Sequence, residues 1–529
     1  MTIRHRRFTV FVLAMLCSTV LVVSGCSAPE TRGTDDRTAN TEPTLGGSMQ
    51  AIQGGEPRSL DPATMVNAWM AQSLVGNALY GTLMTNDVET FEVGYALATG
   101  FVSEDGGATF TLTLRPDLVF TDGTLLDAAA VEHNWDRLRD PKVGSPSLTQ
   151  AAQVTSTEVV DQLTLRVVMA APNPHFAQSL VTSGMNWIAS PDALQKGQSE
   201  FDMNPIGAGP FRLASWSRQN RIELTRNPDY WDRPKPYLDA LTIRTVPDTN
   251  QRLNAITTGS ADLAMEASWF TLSKAEAAGY PTYTVPTGGG QFLAFNTRKA
   301  PFDDVRARRA VSLALDLEAI DAAVYNSTGS IPETLFPEVS PFHKDMALHE
   351  QDRDAAKQLF DELAAEGNPV DFTFLAYSSI ENKAVAEAVQ AQLSTFENVT
   401  ARIEIVEFVA GVPRLAAGDF DMAILSATIL DPDASLWSVF HSDSRGNYTG
   451  IDDEELDKAL DVGRVAKSTE ERVTAYEVVQ QRLAELDPAV WYVRSAPSVV
   501  TGKDTYGVAT YGMGSVLPEE LWTTEQESK

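Results

Sequence analysis

The chain has only two cysteines, Cys17 and Cys26, in 529 residues. That excludes a scaffold stapled by several disulfides and a four-thiolate zinc site. Positive charge is scarce as well. There are 41 Lys and Arg against 71 Asp and Glu, a formal charge of -30, and an anionic surface repels polyanions, which argues against a nucleic-acid partner. The 6 histidines, His5, His133, His175, His343, His349 and His441, are scattered, and no two have the short spacing that sets a pair of imidazoles on one helix face for zinc. HExxH, CxxC, GxSxG and Walker A motifs are absent, as is a GxGxxG between a strand and a helix. Nothing in the chain calls for a metal or a cofactor, and the expectation is a protein that is not an enzyme.

Acid pairs are present but sit where chemistry is not needed to explain them. Asp303-Asp304 and Asp452-Asp453 precede apolar-periodic stretches, where a carboxylate caps free N–H groups and meets the positive end of the helix dipole. Gly288-Gly289-Gly290 is followed by neither a lysine nor a helix start, so it reads as a flexible crossing rather than a phosphate cradle.

What the chain does have is length and pattern. At roughly 150 residues per domain it should form three or four domains or lobes, and 43% apolar residues exclude wholesale disorder. From about Gly46 onward, strand and helix signals alternate, the mark of α/β architecture. Phe110, Leu112 and Leu114 alternate with Thr, and Leu163, Leu165 and Val167 repeat that period. Ile222 and Leu224, then Leu241 and Ile243, Phe372 and Phe374, and Ile403 and Ile405 mark further strands. Helical stripes run through Val131, Trp135 and Leu138 after an Asp127 cap, through Ala356, Phe360 and Leu363 before Gly367, and through Val385, Val389 and Leu393. Nine Trp are more than a minimal core needs, and several stand in short polar segments, including Trp69, Trp187, Trp216 and Trp437. A wide apolar face with one N–H donor suits a cleft for mixed polar and apolar solutes.

The N-terminus sets the compartment. Arg4, Arg6 and Arg7 precede Phe8 to Val23, 16 residues without a formal charge, which is short for a spanning helix and right for a secretory signal. The run ends in Val23-Ser24-Gly25-Cys26 and resembles the bacterial lipobox, so residues 1–25 are expected to be removed and Cys26 to be lipidated. The alternative is an ordinary N-terminal anchor with an incidental cysteine. Under the lipobox reading Cys17 leaves with the signal and acyl chains on Cys26 hold the protein at the outer face of the cytoplasmic membrane. Residues 26–45 then form a polar tether.

Ordered motifs follow. Ser59-Leu60-Asp61-Pro62 and Leu79-Tyr80-Gly81-Thr82-Leu83 come first, then the block Ala96 to Pro141 with its LR and F-x-DG elements. Pro205 to Phe211 reads PIGAGPF, and after it come Asn227-Pro228-Asp229-Tyr230-Trp231, Phe295-Asn296-Thr297 and Pro301 to Arg306. In this order they resemble the extracellular solute-binding proteins of family 5, the dipeptide, oligopeptide and nickel-binding receptors of ABC importers. Ala208 stands where that family usually has Thr.

The resemblance implies an α/β, two-lobed periplasmic-binding-protein-like fold with a hinge and an extra subdomain in the first lobe. Lobe I would be residues 46–286, rejoined by 495–529, and lobe II residues 287–494. It implies a monomer that captures a small solute, peptide-like in the first instance, and hands it to ABC permease subunits. An oligosaccharide, another organic solute or a nickel chelate stays open, as does a secreted hydrolase or a receptor lipoprotein that keeps the fold. Segments expected to face the cleft supply the candidate ligand-binding residues Asn67, Trp69, Met70, Trp187, Tyr377, Thr428, Asp431 and Trp437. Peptide receptors of the family often hold the ligand amine with an aspartate three residues before an acid-Pro pair. Aligned on Asp431-Pro432, that position is Thr428, with Asp431 or Asp433 as substitutes. The arginine that clamps a dipeptide's carboxylate has no counterpart in Ala376-Tyr377-Ser378-Ser379, so a zwitterionic dipeptide is disfavoured.

Overall fold

A computed structural model describes residues 42–524. The signal run, Cys26 and the tether up to residue 41 lie outside the described residues, and so do residues 525–529.

The period-two runs form strands and the 3.6-period stripes form helices. Phe110, Leu112 and Leu114 are the buried positions of the strand Thr109–Leu114. Asp127 caps the helix Ala128–Arg139 by accepting from the Ala130 N–H. Asp304 caps Val305–Ala314 and Asp453 caps Glu454–Val465 in the same way, the structural use expected of the two acid pairs.

Two large sheets build two lobes. The first has seven strands in the order Thr282–Thr284, Ser498–Thr501, Leu263–Glu266, Ser48–Gln53, Ala240–Thr245, Arg221–Arg226 and Phe211–Ser217. Ser48–Gln53 runs parallel to both of its neighbours, whereas the outer pairings are antiparallel. The second sheet has five strands, Val399–Val406, Val370–Tyr377, Met422–Ile429, Gly288–Phe295 and Ala489–Val493. A third, four-stranded antiparallel sheet, Ala98–Val102, Thr109–Leu114, Thr164–Met169 and Val154–Val159, forms the extra subdomain and shares one apolar core with the first sheet.

The run Phe292-Leu293-Ala294-Phe295 does not alternate because both of its faces are covered. Leu293 and Phe295 enter the core on one side of the five-stranded sheet, Phe292 and Ala294 the core on the other. The chain passes from the first sheet to the second between Thr284 and Gly288 and returns between Val493 and Ser498.

The triple glycine departs from the flexible crossing expected of it. It opens the strand Gly288–Phe295, is buried, and is paired with Ile429, Thr428 and Ala427. Gly289 and Gly290 have φ of 62° and 135°, and a Cβ on Gly290 would collide with the Val493 carbonyl. Glycine is required there by close backbone approach rather than by mobility. Gly207, in PIGAGPF, meets the same demand against the Leu79 carbonyl.

The C-terminal segment rejoins the first lobe. Its strand Ser498–Thr501 sits inside the seven-stranded sheet, and Lys235 pairs with Glu520 at 2.7 Å.

Candidate functional site

Parallel strands point their carboxyl ends, and the loops that follow, toward one side of a sheet, which is where open α/β sheets place ligands. Here the two sheets turn those ends toward a common cleft. Tyr377, Ser378 and Ser379 follow the strand Val370–Tyr377, Glu407 follows Val399–Val406, and Thr428 lies at the end of Met422–Ile429. From the first lobe, Ala267, Ser268 and Trp269 follow Leu263–Glu266, joined by Trp69. Arg494, Ser495 and Ala496 of the return crossing close the back. The cleft has a volume of about 980 Å³, at the upper end of the range for small-molecule sites.

The first-lobe wall is held by a buried ion pair. Arg252 meets Glu266 at 2.9 Å with both side chains almost wholly buried. Glu266 also accepts from the N–H groups of Ala267 and Ser268 and from the Thr249 hydroxyl, so no charge is left unsatisfied and the loop into Trp269 is fixed. Trp69 donates its Nε1–H to the Glu266 carbonyl at 3.1 Å, and Trp269 donates to the Arg494 carbonyl at 2.8 Å. Both indoles are thereby oriented with their N–H groups on protein and part of their rings toward the cavity.

Three charged side chains line the cleft: Glu381, Glu407 and Arg494. The Arg494 guanidinium donates to the carbonyls of Thr287, Thr334 and Leu335, and burial pushes its pKa down to about 10. Glu381 stands in the first turn of the helix Ile380–Leu393, which Ser379 caps. The surrounding protein walls, and then the charge of Glu266, raise its carboxyl pKa. Gln291 accepts from the Tyr492 hydroxyl at 2.7 Å and adds an amide to the wall.

Of the residues proposed from sequence, the structure brings three to the cavity wall: Trp69, Tyr377 and Thr428. Thr428 shares a 2.6 Å hydroxyl–hydroxyl hydrogen bond with Ser495 of the crossing. The other five are placed elsewhere. Trp187 is fully buried in the first-lobe core and donates to Asn77 at 2.9 Å. Asn67 is buried and donates to the carbonyls of Val181 and Ser183. Met70 packs against that core, its carbonyl accepting from Gly54.

Asp431 is committed to structure. It caps the helix Pro432–Phe440 and receives both arms of Arg472 at 2.8 Å. Asp433, the other substitute considered for amine capture, is buried against Arg464 at 2.7 Å. Trp437 stacks on His441 with ring centroids 4.5 Å apart, donates to Asp461 and carries Arg464 over its ring, beside the cleft rather than lining it.

Trp269, Gln291, Glu381, Arg494 and Ser495 were missed. Ser268-Trp269 has the same polar-segment signature as the Trp residues singled out, but the others become cleft residues only through the pairing of distant strands. Among the described residues, no group of three His, Cys, Asp or Glu could hold a metal ion. No helix among them is long and apolar enough to cross a membrane.

Comparison with known proteins agrees with this architecture. The curated glutathione-binding protein GsiB of Salmonella paratyphi A is 26% identical over 359 residues, covering 68% of this chain and 69% of that protein. Among solved structures, NikA from Brucella suis in complex with Fe(III)-EDTA superposes with a TM-score of 0.78 at 23% identity, over 90% of this chain and 100% of that one. DppA from Helicobacter pylori in complex with the peptide STSA gives 0.74 at 23% identity, over 91% and 99%. AgaA from A. tumefaciens R10, in complex with agropinic acid, gives 0.74 at 23% identity, over 91% and 99%. Residues 92–447 match the family model described as bacterial extracellular solute-binding proteins, family 5 Middle. With two lobes, a cleft between them and a family match over more than half its length, the chain belongs to the bacterial extracellular solute-binding proteins of family 5.

Proposed function

We propose that the chain is the non-catalytic substrate-binding lipoprotein of an ABC importer. It captures a peptide or peptide-like solute between its lobes and delivers it, as a monomer, to the membrane permease. The observation that carries this reading is the cleft of about 980 Å³ whose walls come from both lobes and from the return crossing. Lobe I is residues 46–286 with 495–529, and lobe II residues 287–494. The two crossings are the hinge, and closure about them buries the solute and presents both lobe surfaces to the permease. Trp69, Tyr377 and Thr428 are the sequence-derived residues retained as solute contacts. The peptide preference rests on the relatives: GsiB is named for glutathione and the DppA structure holds a peptide. The AgaA structure, which holds agropinic acid, supports a second reading in which the solute is another organic acid or conjugate.

Trp69 and Trp269 report on the cleft, so fluorescence titration of the purified chain with the dialysable small-molecule fraction of yeast extract is the direct test. Saturable quenching in the wild type, abolished in Thr428→Lys, is expected. Equal quenching in both would move the site out of the cleft. The anchor is tested separately: Cys26→Ala should release the chain into the medium or leave it unprocessed, and normal lipid labelling of that variant would refute lipidation at Cys26.

A further inference from the structure

Glu381 has no counter-charge. It lies on the second-lobe wall of the cleft, and among the described residues no cation is within ion-pair reach of its carboxylate and no side chain or backbone group donates to it. Beside it, the Asn382 side-chain oxygen is buried and has no donor either. Both residues line the cavity, Glu381 with an exposed carboxylate and Asn382 with a buried oxygen, and neither acceptor has a donor from the protein among the described residues.

The charged neighbours do not relieve them. Arg494 directs its N–H groups to three backbone carbonyls. Glu266, across the cleft, is already matched by Arg252 and repels a second carboxylate. Glu407 adds a further negative charge to the same cavity. The same cavity also carries the rings of Trp69, Trp269, Tyr325 and Tyr377 among serine and aliphatic side chains, and ring faces attract cations. A solute carboxylate would be repelled at this wall, whereas a cation would meet a charge partner, a carbonyl acceptor and π faces together.

We infer that Glu381, with the side-chain oxygen of Asn382, holds a cationic group of the solute, an ammonium or a guanidinium, against the aromatic wall. The inference rests on the solute-binding reading and specifies what that site selects. It moves the charge anchor from the Thr428–Asp433 segment to the first turn of the helix Ile380–Leu393.

The test offers purified wild type and Glu381→Gln the dialysable fraction of yeast extract, untreated or acetylated with acetic anhydride. Retained solutes are then identified by mass spectrometry after gel filtration. The wild type should retain a solute bearing an amine or guanidinium, and Glu381→Gln should lower its occupancy at least about tenfold with the thermal midpoint unchanged. Loss of retention on acetylation identifies an ammonium; its persistence identifies a guanidinium. Retention of only neutral or anionic solutes by the wild type, or equal occupancy in Glu381→Gln, overturns the inference and leaves the solute-binding reading standing. Retention of nothing by either protein overturns both.

Discussion

Trp187 and Trp69 carry the same side chain in segments that look alike, yet they do different work. Trp187 is sealed in the first-lobe core with its N–H on Asn77, whereas Trp69 is half-buried at the cleft with its N–H on the Glu266 carbonyl. Trp187→Ala should therefore destabilise the chain by about 3–5 kcal/mol, the usual cost of emptying a large aromatic site. Trp69→Ala should weaken solute binding with little change in stability. Urea unfolding and fluorescence titration of both variants separate the two roles; a large stability loss in Trp69→Ala with normal binding would reverse them.

Glu519 makes a second residue-scale prediction. It is buried, its Oε2 lacks a partner, and burial pushes its pKa up to about 7 from 4.5. A carboxyl raised in the folded state favours folding while protonated. That contribution is complete below about 4.5 and is lost as pH rises through about 7. Glu519→Gln should thus gain stability over the wild type at about pH 8 but not at about pH 4. A difference in thermal midpoint that does not change with pH would contradict this.

At the scale of elements, most of the architecture was readable because it follows from local period. The alternation in Thr109–Leu114 and the stripe in Ala128–Arg139 depend only on which face is buried. The acid pairs were legible as caps for the same reason. Positions set by tertiary pairing were not. The triple glycine reads as a flexible crossing in sequence, and only its pairing with the strand Met422–Ile429, more than a hundred residues away, makes it a strand. Glu381 and Arg494 reach one cavity from segments more than a hundred residues apart, so no spacing in the sequence announces them. Asp431 is read from its acid-Pro pair as a solute contact, but Arg472, 41 residues further on, commits it to structure. The glycine strand yields a sharp prediction: Gly290→Ala forces φ of 135° on an alanine and drives its Cβ into the Val493 carbonyl. The cost should be on the order of 1–3 kcal/mol, with hinge geometry altered enough to weaken solute binding. Wild-type stability in urea would refute a tight crossing.

At the scale of the whole molecule, the lobes meet beyond the crossings as well. Asn173 of the extra subdomain reaches Asp433 of the second lobe at 3.4 Å, His175 donates to the Ala466 carbonyl at 2.8 Å, and Phe91 stacks on Phe342. Burial, and then the charge of Arg472, lower the His175 pKa, so the ring is neutral near pH 7 and its Nε2–H is the donor. These contacts hold the two lobes together at the subdomain edge. The double variant Asn173→Ala, His175→Ala should shift the solute-free chain toward a more open form, seen as a larger radius of gyration in small-angle X-ray scattering. An unchanged scattering profile would show that the hinge alone sets the resting geometry.

The central claim is that one solute is trapped between the two lobes. Native mass spectrometry of the chain isolated from its own host's membranes tests it most directly. The account predicts a single small molecule bound per chain in the wild type and none in Thr428→Lys. A wild-type chain that carries no solute, or a Thr428→Lys chain that carries the same one, would contradict it.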